Sequence, residues 1–315
     1  MAVNSLNQLS SRAIIGRYYK ELEAITGMSW VDRVSTQFGS NQDKESYKWL
    51  GMSPALRQWV GGRNAKGLSA KGVTIENVHF EATLDIHMED IRRDKTDQIM
   101  VRVNDLAKRY NEHWAKLLST AIEAGTSTDC YDGQYFFDDD HSEGASGTQK
   151  NLLTATEVTA LDVTTATAPT EAEMSAALLG VVSYMMAYKD DQGEPMNADA
   201  RSWMVMCPAT PIWSAAVGAV KNQVINQSTN TLQTAPFSVE VVCNPRLTGT
   251  AVFYVVRTDA NVKGLIRQQE TEGALQAIAE GSELEFNEGV WRFGLDTWRN
   301  VGYGYWQMAA HCTLS

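Results

Sequence analysis

The stretch from about Gln98 to Ala124 limits, more than any other, what this chain can become. Ile99, Val103, Leu106, Tyr110, Trp114, Leu117 and Ala121 recur at helical steps, which aligns them along one face of an α-helix. Arg102, Asp105, Lys108, Arg109, Glu112 and Lys116 fall on the opposite face and read as solvated surface. Gly125 stands where a helix C-terminus favours glycine. At about 1.5 Å per residue such a helix runs about 40 Å, longer than most globular helices, so it predicts a structural spine.

Everything before the spine looks like something that reaches outward. Ile14, Ile15, Tyr18, Tyr19, Leu22 and Ile25 place apolar side chains on one face of a short helix that Gly27 would end. So short a piece cannot bury its stripe alone and must dock on the main body or on a neighbouring molecule. From Tyr47 to about Asp90 the chain becomes glycine-rich and basic, with Gly61, Gly62, Gly67 and Gly72 among Arg57, Arg63, Lys66 and Lys71. Val73, Ile75, Val78, Phe80, Ala82, Leu84 and Ile86 then alternate with polar residues, apart from one slip near Asn77. The pattern predicts a long projecting β-hairpin, which needs support from a neighbour or from its own subunit.

After the spine, a Thr-rich stretch from Gly144 to Thr170 reads as loop and short strand. Thr170 and Glu173 have the spacing of a capping box, and Met174, Leu178, Val181 and Met185 give a second core helix. Trp203 to Cys207 reads as a buried strand. Thr210 and Pro211 open a helix running to about Val224, and Val239 to Cys243 and Ala251 to Arg257 are further strands. These elements predict an α/β subdomain over about Asp199 to Gly281. The aromatic C-terminal part, with Phe286, Trp291, Phe293, Trp298, Tyr303, Tyr305 and Trp306, is expected to return as strands to the body built on the spine.

Charge narrows the function. Acidic side chains outnumber basic ones 38 to 27, for a net charge of -11, and the pI is about 5.0. Tight nucleic-acid binders usually show the reverse balance, because phosphate neutralisation supplies most of their affinity. An acidic wall can still stand beside DNA, since repulsion lets a long polyanion slide. No stretch approaches the roughly 20 apolar residues of a membrane span, and no signal peptide is evident, so the expectation is a soluble chain that stays where it is made. Cys130, Cys207, Cys243 and Cys312 are scattered without paired spacing and read as reduced, structural thiols.

Chemistry-bearing motifs are few. There is no G-x-S-x-G elbow, Walker-type loop, dinucleotide fingerprint or H-E-x-x-H. Cys130 to His141 is the densest cluster, and Asp138, Asp140 and His141 are residue types that hold divalent cations. In an extended chain Asp138 and Asp140 share a face while His141 points the other way, so the plainer reading is an acidic turn with no metal, cofactor or catalytic role. His79 and His87 fall in the return strand, where packing or solvation is the ordinary fate of histidine. Arg57, Trp59, Arg63, Lys66 and Lys71 instead suggest an intersubunit contact arm, because an aromatic anchor beside guanidinium groups is typical of interface hot spots and the rest of the chain is acidic.

Three stretches in order resemble the Mu-like bacteriophage major head subunit family. They are Trp59-x-Gly61-Gly62-Arg63 with Asn77-x-x-Phe80-Glu81-x-Thr83-Leu84-x-Ile86 and Asp90 to Lys95; Tyr131-Asp132-Gly133-Gln134-x-Phe136-Phe137-Asp138-x-Asp140-His141; and the strand and helix from Trp203 to Val220 with the aromatic C-terminal strands. Members of that family often have proline after the histidine, where Ser142 stands here. The resemblance implies an α+β tailed-phage major capsid fold, with an N-terminal arm (1–46), an extended loop (47–90), a peripheral domain with the spine helix (91–198 and 282–315) and an axial domain (199–281). It also implies a non-enzymatic protein of the virion, assembled in the host bacterial cytoplasm into hexamers and pentamers around double-stranded DNA. Scaffold and portal proteins, and optionally a decoration protein, would be its partners. Two other readings remain open: a tail sheath or tube subunit, and a metal-dependent hydrolase using Asp138, Asp140 and His141.

Overall fold

The computed structural model describes residues 10–24, 29–48, 72–93 and 97–315. Its spine helix spans Gln98–Ala124, the bounds expected from the apolar stripe. Ile99, Val103 and Ala107 of its first half enter one core, with Ile14, Tyr18, Ile86, Leu275, Trp291, Phe293 and Leu295. Trp114, Ala115, Leu118 and Ile122 of its second half enter another, with Phe136, Leu178, Trp203 and Phe253. The helix is thus long because it bridges two cores.

The first core lies against a five-stranded sheet whose central member is the long strand Val290–Tyr303. Odd-numbered residues from Trp291 to Arg299 face the helix, and the even-numbered ones face outward, as the two-residue period of a strand requires. Val78–His87 pairs along one edge of this strand, from Val290↔His87 to Arg299↔Val78. Leu265–Gln269 and Ala274–Ile278 share its other edge, and Ser35–Gly39 lies parallel to Leu265–Gln269. The arm helix Ser11–Ala24 docks on its own subunit, with Ile14 and Tyr18 fully buried.

A second five-stranded sheet carries Ser238–Cys243, Ser202–Cys207, Val252–Arg257, Ala309–Thr313 and Leu152–Leu153 in that order. Ser202–Cys207 is buried from Trp203 onward, as suits a strand covered on both faces. The covering helices include Glu171–Met186, whose Thr170–Glu173 capping box forms as expected, and Pro211–Lys221 with Thr210 at its N-cap. Thr210 makes no side-chain cap bond, and the helix ends at Lys221, short of Val224.

Two expectations need correction. The hairpin stem is only Lys44–Tyr47 against Val73–Glu76. The slip near Asn77 marks where the chain leaves that ribbon, so Val78–His87 belongs to the body sheet and not to the hairpin. Asn77 itself is buried and anchors the crossing: its amide nitrogen donates to the Gln42 carbonyl at 2.8 Å, Ser40 Oγ at 3.1 Å and Glu270 Oε2 at 3.2 Å. The sheets also ignore the boundaries expected near residues 199 and 281. Leu265–Gln269 and Ala274–Ile278 join the body sheet, while Leu152–Leu153 and Ala309–Thr313 join the second sheet. Strand pairing is a long-range choice, and a short apolar strand carries no local mark of the sheet it will join.

Candidate functional site

The loop after the spine helix is folded by its aromatics. Phe136 and Phe137 are buried, and Phe136 stacks on Tyr303 with ring centroids 4.6 Å apart. The Phe137 ring fills the space where a Gly125 side chain would stand, an added Cβ there lying 2.6 Å from Phe137 Cδ2. Gly133, with φ of 91°, closes the tight turn in which the Cys130 N–H donates to the Gln134 carbonyl at 2.7 Å.

His141 turns inward. Its ring stacks on Trp306 at 4.1 Å, and its nitrogens face Asp132 Oδ2 at 2.7 Å and Asn151 Oδ1 at 3.2 Å. The side chains of His141 and Asp132 are 0% and 1% exposed, so this is a buried pair with each ring nitrogen engaged. Burial pushes the Asp132 carboxyl up, but its bonds to His141, to the Gln134 N–H and to the Cys130 thiol outweigh that and hold it below the usual carboxylate range. Asn151, fully buried, is the hub that sequence reading missed. Its nitrogen donates to the carbonyls of Phe136, Trp306 and Ala309, and its oxygen accepts the Asp138 N–H at 2.9 Å.

The three aspartates do come together: one carboxylate oxygen from each of Asp138, Asp139 and Asp140 lies within 4.8 Å of the others. Their arrangement serves the turn. Asp138 accepts the Tyr135 N–H at 3.0 Å and the Asp139 N–H at 2.7 Å, and Asp140 accepts from the Gln134 amide at 2.6 Å. His141 is not among the grouped residues, so the three-residue centre required by the hydrolase reading is not assembled among the described residues. Of the other histidines considered, His79 stacks on Trp298 at 4.6 Å on the outer face of the body sheet, and His87 ends its strand exposed.

Arg57, Trp59, Arg63, Lys66 and Lys71 lie outside the described residues. Their segment leaves from the far end of the stem, where Tyr47 pairs with Val73. Gly72 permits that close approach, since a Cβ on it would meet the Tyr47 carbonyl oxygen at 2.9 Å. Arg257 ties the second sheet to the preceding loop, donating to Asp259 at 2.7 Å, Asp199 at 2.8 Å and Asn197 Oδ1 at 3.1 Å.

This arrangement of stem, spine and two sheets has counterparts among known proteins. A family model described as the Mu-like prophage major head subunit gpT matches residues 11–173 and 233–314. The chain belongs to the Mu-like major head subunit family. Among head subunits, it is 32% identical over 126 residues to the Mu-like prophage FluMu major head subunit of Haemophilus influenzae, covering 40% of this chain and 41% of that one. It is 29% identical over 113 residues to the major capsid protein of Escherichia phage Mu, covering 36% of this chain and 37% of that one. The matched stretch is therefore less than half the length of either curated relative. Its fold is similar to that in the procapsid of bacteriophage JBD30, with a TM-score of 0.56 and 22% identity over 98% of this chain and 77% of that one. The cyanophage P-SCSP1u capsid gives a TM-score of 0.54 at 12% identity, covering 100% and 93%. A virus-like particle from Pyrococcus furiosus gives 0.53 at 7%, covering 96% and 98%. The head subunit thus has the α+β tailed-phage capsid fold expected from its sequence.

Proposed function

We propose that this chain is the major capsid protein of a Mu-like phage, a non-enzymatic subunit that assembles through copies of itself into the icosahedral head around double-stranded DNA. The observation that carries this reading is the family match, which runs through the arm helix, the spine and every strand of the two five-stranded sheets except Ser202–Cys207. The assembly units are hexamers and pentamers, built in the host cytoplasm with a scaffold and a portal, and open to a decoration protein on the finished head. A net charge of -11 suits a container wall that packaged DNA slides past. No cofactor is needed for any of these steps.

Residues 1–46 act as the arm and the loop between the stem strands as the extended arm; the sheet on Val290–Tyr303 is the peripheral body and the sheet on Ser202–Cys207 the axial unit. Residues 49–71 carry Arg57, Arg63, Lys66 and Lys71 and no acidic residue, which favours their lying across an acidic neighbour. Trp59 supplies the apolar anchor of that contact. Many moderate contacts of this kind let a misplaced copy leave before the shell closes.

The test is removal of the loop tip. Deleting Asn64 to Lys71 leaves a subunit with the wild-type circular dichroism spectrum that forms no closed shells by electron microscopy. Normal particles from this variant would sink the arm assignment.

A further inference from the structure

The body sheet is open on one flank. Val78–His87 has the long strand on one edge and, among the described residues, no strand on the other. Between that free edge and the spine helix lies a cleft of about 290 Å³ floored by Phe80, Ala82, Leu106 and Leu295. Arg109, His113, Lys116 and Arg299 wall it, and Glu81, which accepts from Thr83 Oγ1 at 2.8 Å, is its one lining carboxylate. The hollow continues along the helix past Leu84 and Val101, a valine that is 64% exposed.

Arg299 is the telling residue. It is 1% exposed, with its guanidinium carbon 4.3 Å from the Tyr110 ring centre and 4.8 Å from that of Trp114. One nitrogen donates to the Tyr110 carbonyl at 3.2 Å, while Nε and Nη1 have no hydrogen-bond partner among the described residues. A buried cation calls for an anion. Asp105 is taken by Arg109 at 2.9 Å, and Lys116 joins no ion pair among the described residues. The segments outside the described residues hold a single acidic side chain, Asp94, next to the start of the helix. That start is about 18 Å from Tyr110 along the helix axis.

The same molecule presents a complementary knob. The short helix Glu283–Glu288 projects Phe286, which is 90% exposed, in a turn that includes Glu280, Glu283, Glu285 and Glu288 and no basic residue. Glu285 closes the turn on the Gly281 N–H and Glu280 accepts the Ser11 N–H, which leaves Glu283 and Glu288 outward. Knob and cleft lie at opposite ends of one strand, with Val290 at one and Arg299 at the other, about 30 Å apart. They cannot meet within one rigid sheet. Between two copies they form a head-to-tail contact, the type that repeats into a ring.

We propose that the Phe286 turn of one copy seats in the Arg299 cleft of a second, with the ring on the Phe80–Leu106 floor. Glu283, one turn before Phe286 on the same helical face, is the carboxylate that meets the exposed Lys116, with the buried charge of Arg299 behind it. This rests on the self-assembly reading above and adds a named contact to it.

Phe286, Glu283 and Lys116 are exposed, so their replacement spares the fold. Phe286→Ala is expected to melt as wild type yet give at least tenfold fewer particles at equal subunit concentration. Lys116→Glu lowers the yield in the same way, and adding Glu283→Lys to it restores particles. Particles of the Glu283→Cys, Lys116→Cys double variant yield, on oxidation, a ladder of linked copies that neither single variant gives. A Phe286→Ala yield within twofold of wild type, or assembled double-cysteine particles without a ladder, overturns the contact and leaves self-assembly standing. Wild-type subunits that never assemble overturn both.

Discussion

Asp132 shows how a single side chain sets a limit on the pH range of the subunit. Its folded pKa lies below the ordinary carboxylate value because its bonds to His141 and its other donors outweigh burial. A depressed carboxylate stabilises the fold fully above its unfolded pKa of about 4 and loses that contribution as pH falls through the folded value. Asp132→Asn should therefore lower the melting temperature at pH 7, and the gap to wild type should narrow on acid titration followed by circular dichroism; a gap that stays constant down to pH 2 would count against the pair. The same loop shows what residue types alone conceal. Asp138, Asp140 and His141 are legible as ligand-type residues, but the inward turn of His141 depends on Asn151, ten positions on, and on the distant Trp306, neither of which bears a local sign of its role. Arg299 did leave a sign, as a charged residue in the inward phase set by Trp291, Phe293 and Leu295.

At the scale of elements, the spine helix is where local pattern and packing agree best. Leu118 is fully buried where the helix enters the second core, so Leu118→Ala should destabilise the subunit by about 3 kcal/mol in urea unfolding. A loss under about 1 kcal/mol would mean the site collapses around the smaller side chain. The bounds Gln98–Ala124 were legible from the stripe alone, yet the buried set shifts past the midpoint. Leu117 and Ala121 were expected inside, and both are only partly buried while Ala115, Leu118, Ser119 and Ile122 take the interior. The helix changes partner halfway, from the body sheet to the second core, and a one-face reading assumes one partner. The hairpin erred for a related reason: alternation from Val73 to Ile86 gives the strand, and the slip near Asn77 is visible, but which strand answers it is decided by residues more than 200 positions later.

For the whole molecule, the end of the chain stitches the two sheets together. Val290–Tyr303 is the centre of one, and Ala309–Thr313 sits inside the other between Val252–Arg257 and Leu152–Leu153. Removing residues 309–315 should abolish the cooperative melt of the subunit, because the second sheet would lose an interior strand; a retained sharp transition would show that the sheet closes without it. There is a consequence for synthesis. The body sheet cannot be completed until the residues up to 303 have left the ribosome, nor the second sheet until those up to 313, and pairings so distant in sequence form late. The growing chain therefore holds Val78–His87 and Leu152–Leu153 without a partner strand until those late segments emerge.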